Sequence, residues 1–289
     1  MIPPYSVNIP ITRICNYNCR FCFGCHESLK EHYKEDRILE IPSLLKEGGC
    51  DKVTFEGGEP FLSPFLSPLL YLSKKEDLTT SIVTNGSMIT KQYLDLMSPY
   101  LDWIGISIDS QHDQIEEYLG RGGKGHTHMV KEVSNWCHEL SVKLKINTVV
   151  TSCTYKEDMT DLIRELKPAR WKAFQVLKVK EENDIGFDDM EISTSQFQEF
   201  IDINSKVEQY GIPFISEFND QMDRSYVMIL PDGHFFNYTD KGYVASKDSI
   251  FDVGVEKALS QVDWDSDSYF RRKGYYDWRN NKKEVITHG

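Results

Sequence analysis

The sequence predicts an α/β fold: a partial barrel of six parallel strand-helix units, (βα)6, followed by a C-terminal extension. Three observations carry this. Six apolar, β-rich runs alternate with segments of helical spacing up to about residue 180. Glycine-rich or polar stretches follow the strand ends, where folds of this kind gather their chemistry. Beyond that point the alternation stops, which divides the chain into a core (1–180), an extension (181–278) and a flexible tail (279–289).

Alternation over Ser6–Ile11 gives the first strand, with a cysteine-rich loop at its end. Arg37–Glu47 has helical spacing and stops at Gly48 and Gly49. The strand Lys52–Glu56 runs into Gly57, Gly58, Glu59 and Pro60. The next unit comprises an apolar segment Phe65–Leu72, a strand Thr80–Thr84 ending in Asn85, and a helix Lys91–Met97. Strand Trp103–Asp109 precedes a helical stretch, Gly120–Gly123 and a helix His128–Leu140. Strand Lys143–Val150, helix Asp158–Leu166 and strand Trp171–Leu177 complete the core. In the extension, Ser195–Tyr210 reads as a helix and Ser225–Asn237 as a hairpin turning at Asp232 and Gly233. A polar loop, Thr239–Lys247, and a short helix, Val253–Leu259, follow.

A chain of 289 residues with 40% hydrophobic content can bury a sizeable core. No apolar run is long enough to cross a bilayer, and Met1–Tyr5 begins no signal peptide, so the expectation is a cytoplasmic protein with no membrane partner. The net charge of −12 argues against general nucleic-acid binding; an anionic partner needs local basic contacts. Four of the seven cysteines lie between Cys15 and Cys25, while Cys50, Cys137 and Cys153 are scattered, which is no disulfide framework.

Cys15, Cys19 and Cys22 crowd three thiols onto one loop, a metal site by charge alone. With Cys25 the loop makes a closed four-thiolate set, either a zinc knot or an electron carrier. With three ligands it leaves one iron of a 4Fe-4S cluster open to the amine and carboxylate of a small molecule. Zinc usually takes two separated cysteine pairs, and no distant pair exists here.

Strand parity adds a second signal. Lys52, Thr54 and Glu56 share one face of their strand, as do Lys145 and Asn147, and Arg170 and Lys172, opposite the apolar residues that meet the helices. Cations turned inward on three strands are costly unless an anion joins them, and a triphosphate satisfies the group. The alternative is that these residues fringe the solvated strand ends.

The spacing of Cys15, Cys19 and Cys22, with Phe21 before the third and Gly57-Gly58-Glu59-Pro60 after the next strand, resembles the radical S-adenosylmethionine (SAM) superfamily. More narrowly, Ser81–Ser87, Lys145–Asn147, Pro168–Gln175, Ser225-Tyr226 and Asp252–Glu256 are similar to the viperin family, over about Asn8 to Trp278. The resemblance implies a barrel of the radical SAM type, a 4Fe-4S cluster on Cys15, Cys19 and Cys22, and SAM held by Gly57, Gly58, Glu59, Pro60, Asn85, Ser107 and Arg121. Glycines at 57 and 58 let backbone carbonyls approach the SAM ammonium.

It further implies a nucleoside triphosphate substrate, CTP or UTP favoured and GTP possible, bound by Lys52, Lys145, Asn147, Arg170 and Lys172, with Tyr226 beside the ribose. The implied reaction removes the ribose 4′ hydrogen and then the 3′ hydroxyl as water. One electron completes a 3′-deoxy-3′,4′-didehydro nucleotide, a chain terminator in antiviral defence. A flavodoxin- or ferredoxin-type electron donor, a monomeric state and a short microbial form without a membrane-anchoring helix belong to the same expectation. Arg271–Trp278 resembles a basic segment that closes the site. Two departures, Glu56 and the loop Asp240–Ser246, leave the base open. A radical SAM enzyme acting on a peptide or protein is the competing reading; such enzymes often carry further clusters, for which Cys50, Cys137 and Cys153 are too scattered.

Overall fold

Strands β1 (Ser6–Thr12), β2 (Lys52–Gly57), β3 (Thr79–Thr84), β4 (Trp103–Ser107), β5 (Lys143–Val150), β6 (Arg170–Gln175) and β7 (Phe214–Glu217) run parallel in sequence order, in a computed structural model describing residues 4–24, 26–184, 187–239 and 242–279. The other edge is extended by β8 (Met228–Ile229), β9 (Phe235–Thr239) and β10 (Gly242–Ala245), with β8 parallel to β1 and the last two antiparallel. The result is one ten-stranded sheet ordered β10-β9-β8-β1-β2-β3-β4-β5-β6-β7. Its concave face carries residues of β1 to β6 and β8 to β10 around a single cavity.

Helices α1 (Ile41–Glu47), α2 (Leu66–Lys75), α3 (Lys91–Met97), α4 (Asp113–Leu119), α5 (His126–Glu139) and α6 (Thr160–Leu166) lie in the crossovers, and α7 (Thr194–Asn204) precedes β7. The apolar faces opposite the parity residues, Val53 and Phe55, Leu144 and Ile146, and Trp171 and Ala173, are buried in one core cluster with them, joined by Ile82 of β3 and Ile104 and Ile106 of β4. Trp171 stacks on Phe214 at 4.4 Å between ring centroids, a pairing worth about 0.5–1.5 kcal/mol beyond its area. No helix among the described residues is long and apolar enough to cross a membrane.

The extension departs from expectation in three places. The helix expected over Ser195–Tyr210 ends at Asn204 and continues as a 3-10 turn, Ser205–Tyr210. There the Asn204 side chain accepts from Met159 N and donates to Glu157 O, which ties that point to another crossover. β7 was not expected at all, and the expected loop Thr239–Lys247 contains β10. The hairpin turn at Asp232 and Gly233 is present between β8 and β9. Expectations about Cys25, Asp240, Lys241 and residues 280–289 fall outside the described residues.

Candidate active site

The end of β2 is locked to the end of β1. Gly58 N donates to Thr12 O at 2.7 Å and Glu59 N to Ile14 O at 2.8 Å, which seats Gly57–Pro60 against the start of the cysteine loop. A Cβ at position 58 would lie 2.2 Å from Ile14 O, and one at 57, where φ is +131°, 2.3 Å from Thr12 O. The glycines are therefore required by the close approach of two strand ends, before any ligand is considered. Glu59 is fully buried and accepts from Thr84 Oγ1 at 2.7 Å, Asn85 N at 2.9 Å and Phe61 N at 3.2 Å, which joins β3 to the same knot. The Asn85 amide donates to Asn16 Oδ1 at 2.9 Å and lies 3.9 Å from Cys15 Sγ.

Cys15, Cys19 and Cys22 thus hang over the C-terminal ends of β1 to β3. Burial pushes the Cys19 thiol up to about 12, and Arg121 only partly offsets it. Cys15 is raised by burial too, with the Glu59 and Cys22 charges adding to the effect. Three mutually repelling thiolates in such a setting need a positive core, so the donor set fits a cluster ligated by three cysteines. Beside it, Arg121 Nε donates to buried Asp109 at 2.7 Å; burial disfavours the Arg121 cation, but the Asp109 carboxylate overrides this and holds it charged. Ser107, at the end of β4, and Arg121 both line the cavity.

The cavity has a volume of about 290 Å³ and runs from Phe21 and Arg121 at the cysteine end to Lys52 and Tyr276 at the other. All five parity residues lie on it: Lys52, Lys145, Asn147, Arg170 and Lys172. Register explains the grouping, since Lys145 pairs with Arg170 and Asn147 with Lys172 across β5 and β6. On the neighbouring strand Gly105 pairs with Lys145; a Cβ there would sit 2.8 Å from Lys145 Cε and 3.1 Å from Asn147 Nδ2.

Lys52, Arg170 and Lys172 are only 5%, 7% and 7% exposed, and this burial dominates their chemistry. Desolvation, with Arg170 and Arg272 nearby, lowers Lys52 to about 7. Desolvation lowers Lys145 to about 8. Lys172 falls to about 7, because desolvation and the Arg272 and Lys145 charges outweigh what Glu217 returns. Three buried polar atoms on the wall have no hydrogen-bond partner among the described residues: Asn147 Oδ1, Arg170 Nε and Arg272 Nε.

Sequence reasoning missed Glu217, which arrives on β7. It is fully buried, ion-paired with Lys172, 3.5 Å from Arg272 and accepts a hydrogen bond from Tyr226 Oη. Burial would raise Glu217, but Lys172 and Arg272 hold it down at about 2. Lys172 Nζ also donates to Tyr226 Oη at 3.2 Å; burial, aided by Glu217, raises the phenol well above its usual range. Glu56, the sequence departure, faces the same cavity and accepts from Asn8 Nδ2 at 3.0 Å; burial raises its carboxyl.

The C-terminal segment forms the floor. Arg170 donates to Lys273 O at 2.8 Å, Lys52 Nζ to Tyr276 Oη at 3.0 Å, and Trp103 Nε1 to Trp278 O at 2.7 Å, all at the N-terminal ends of strands. The segment therefore seals the end of the cavity opposite the cysteine loop.

The model of the radical SAM superfamily matches residues 9–166. An S-adenosylmethionine-dependent nucleotide dehydratase of Flammeovirga pacifica is 38% identical over 283 residues, 95% of this chain and 96% of that one. A protein of the same name from a Thermoplasmatales archaeon is 35% identical over 274 residues, 94% and 96% of the two chains. In structure, SuiB of Streptococcus suis bound to S-adenosylmethionine superposes with a TM-score of 0.69 at 19% identity, over 92% of this chain and 67% of that one, a likeness of fold. The chain belongs to the radical SAM superfamily, whose cofactors are a 4Fe-4S cluster and SAM, and within it to the viperin family.

Proposed function

We propose that this chain converts a nucleoside triphosphate, with CTP or UTP favoured and GTP possible, to its 3′-deoxy-3′,4′-didehydro analogue, a product used in antiviral defence. The observation that carries the reading is the cation set Lys52, Lys145, Arg170, Lys172 and Arg272, which faces one cavity with Glu56 as the only carboxylate among its described lining residues and Glu217 paired with Lys172 and Arg272 behind the wall. A triphosphate supplies the missing negative charge and acceptors for Arg170 Nε and Arg272 Nε. Asn147 Oδ1 is available to a ribose hydroxyl.

Cys15, Cys19 and Cys22 are the cluster ligands in this reading, with Gly57, Gly58, Glu59, Pro60, Asn85, Ser107 and Arg121 around SAM. Held there, the cluster and SAM would supply the electron and the radical chemistry that removes the ribose 4′ hydrogen atom. The 3′ hydroxyl then leaves with one proton as water, and one electron restores a closed-shell alkene. Tyr226, kept protonated by burial and by Glu217, is the donor of that proton. The extension 181–278 completes the nucleotide site, and its floor keeps water from the reacting carbon. The electrons come from a flavodoxin- or ferredoxin-type donor, and the enzyme works as a cytoplasmic monomer.

The test is anaerobic: enzyme with reconstituted cluster, SAM, dithionite and each nucleoside triphosphate in turn, analysed by mass spectrometry. The reading requires 5′-deoxyadenosine formation stimulated by one triphosphate and a product lighter by one water. No stimulation by any triphosphate removes it.

A further inference from the structure

One side-chain cluster has no part in the cavity. His32 ends the 3-10 turn Glu27–His32, shortly after the cysteine loop, and Asp232 and His234 stand on the turn between β8 and β9. Asp232 reaches both rings, with His32 Nδ1 2.8 Å from one carboxylate oxygen and His234 Nδ1 2.9 Å from the other. The ring centroids are 4.8 Å apart, and one ligand atom from each of the three residues lies within 4.8 Å of the other two. The two contacts differ in kind. An ionised carboxylate only accepts, so His32 Nδ1 is the donor in its hydrogen bond. His234 Nδ1 is buried and forms no hydrogen bond in spite of its proximity to Asp232. A buried imidazole nitrogen close to an oxygen but off the hydrogen-bonding direction is suited to a shared cation.

We infer that His32, Asp232 and His234 bind one zinc-class divalent transition-metal ion, which clips the segment after the cysteine loop to the β8–β9 hairpin. Two imidazoles and a carboxylate match zinc and its neighbours rather than magnesium or calcium, which prefer all-oxygen shells. Ligand bonds of about 2.0–2.2 Å require the three donor atoms to draw together around a common point. The side chains are 29%, 15% and 20% exposed for His32, Asp232 and His234, so an ion can reach them from solvent. The ion takes the Nδ1 lone pairs, so the proton on His32 Nδ1 is released or moves to Nε2 as the ring changes tautomer. Three protein ligands leave a position for water.

The clip has a mechanical meaning. Without it, this contact rests on the His32–Asp232 hydrogen bond, the His26 ring against Phe236 at 5.3 Å, and a small apolar cluster of Leu29 with Leu230 and Phe236 that is separate from the main core. The hairpin also pairs with β10, whose Tyr243 lines the cavity. An ion here ties the chain beyond the cysteine loop to the strands that wall the site, and the inference stands whichever substrate the cavity takes.

The experiment uses tag-free protein whose cysteine site is already filled by reconstituted cluster. It is equilibrated with Zn²⁺ buffered at micromolar free concentration, desalted, and analysed for zinc and iron by plasma mass spectrometry. The expected result is about one zinc per chain, falling at least tenfold in both His32→Gln and His234→Ala while iron content holds. Glutamine keeps a donor toward Asp232 but is a poor ligand, so lost zinc at an unchanged unfolding midpoint in chelator separates ligation from packing. Zn²⁺ should also raise the unfolding midpoint of the parent and not that of the variants. Zinc far below one per chain, or zinc undiminished in both variants, overturns the assignment.

Discussion

Triphosphate binding should take up protons from solution. Lys52 and Lys172 sit at about 7 and Lys145 at about 8, chiefly because burial penalises the ammonium form. A polyphosphate laid along them restores that form and returns each lysine toward its ordinary range. At pH 8 a group with a pKa of about 7 is about nine-tenths neutral and one of about 8 is half neutral, so full recharging takes up about two protons per triphosphate. At pH 6 the three lysines are already about nine-tenths or more charged, and their uptake falls to about 0.2 proton. The sign follows: the free protein holds fewer protons than the complex, so affinity falls as pH rises above 7. Each proton taken up at a given pH corresponds to about a tenfold loss per unit there. The ligand adds little at pH 8, since a terminal phosphate loses its second proton near about pH 6. Calorimetric titration of cluster- and SAM-loaded enzyme, without reductant, in buffers of matched pH and different protonation enthalpy reads the uptake directly. Lys172→Met should remove nearly one of those protons at pH 8. A binding heat independent of buffer at pH 8 would refute the reasoning.

Replacing Lys172 by Ala should weaken triphosphate binding by about ten- to a hundredfold while SAM cleavage persists; unchanged affinity in the same titration would undo the anion assignment. Tyr226→Phe should leave 5′-deoxyadenosine formation in place while the dehydrated product falls by about a hundredfold. Equal losses of both by mass spectrometry would reduce Tyr226 to a binding contact. Gly58→Ala forces a Cβ to 2.2 Å from Ile14 O, so it should cost at least about 1–3 kcal/mol and lower iron incorporation; normal iron content and unfolding midpoint would speak against the knot.

Much of this site was legible because a parallel strand buried on both faces rarely carries charge. Lys145 and Asn147 on β5 stand out against Leu144 and Ile146, and Lys143–Val150 and Lys91–Met97 were bounded as the structure has them. β7 was not legible: it is four residues long, follows Pro213, and opens on two adjacent apolar residues, Phe214 and Ile215, which hide its alternation. Glu217 was lost with it. The signal that was available was electrostatic, since several inward cations require buried counter-ions in the free protein, and the expected strands supplied only Glu56. β10 escaped for a different reason: it is an edge strand paired only with β9, and its exposed Val244 carries no burial pattern.

The floor contributed by Lys273, Tyr276 and Trp278 also sets an order of assembly during synthesis. Roughly 250 residues separate it from the cysteine loop, or about ten to fifty seconds of translation at 5–20 residues per second. Through that interval the sheet can form as a channel open at both ends, with its lysines in contact with bulk water. Iron can therefore reach the cysteines before the nucleotide end exists. That segment, made after all ten strands, then converts a passage into a chamber.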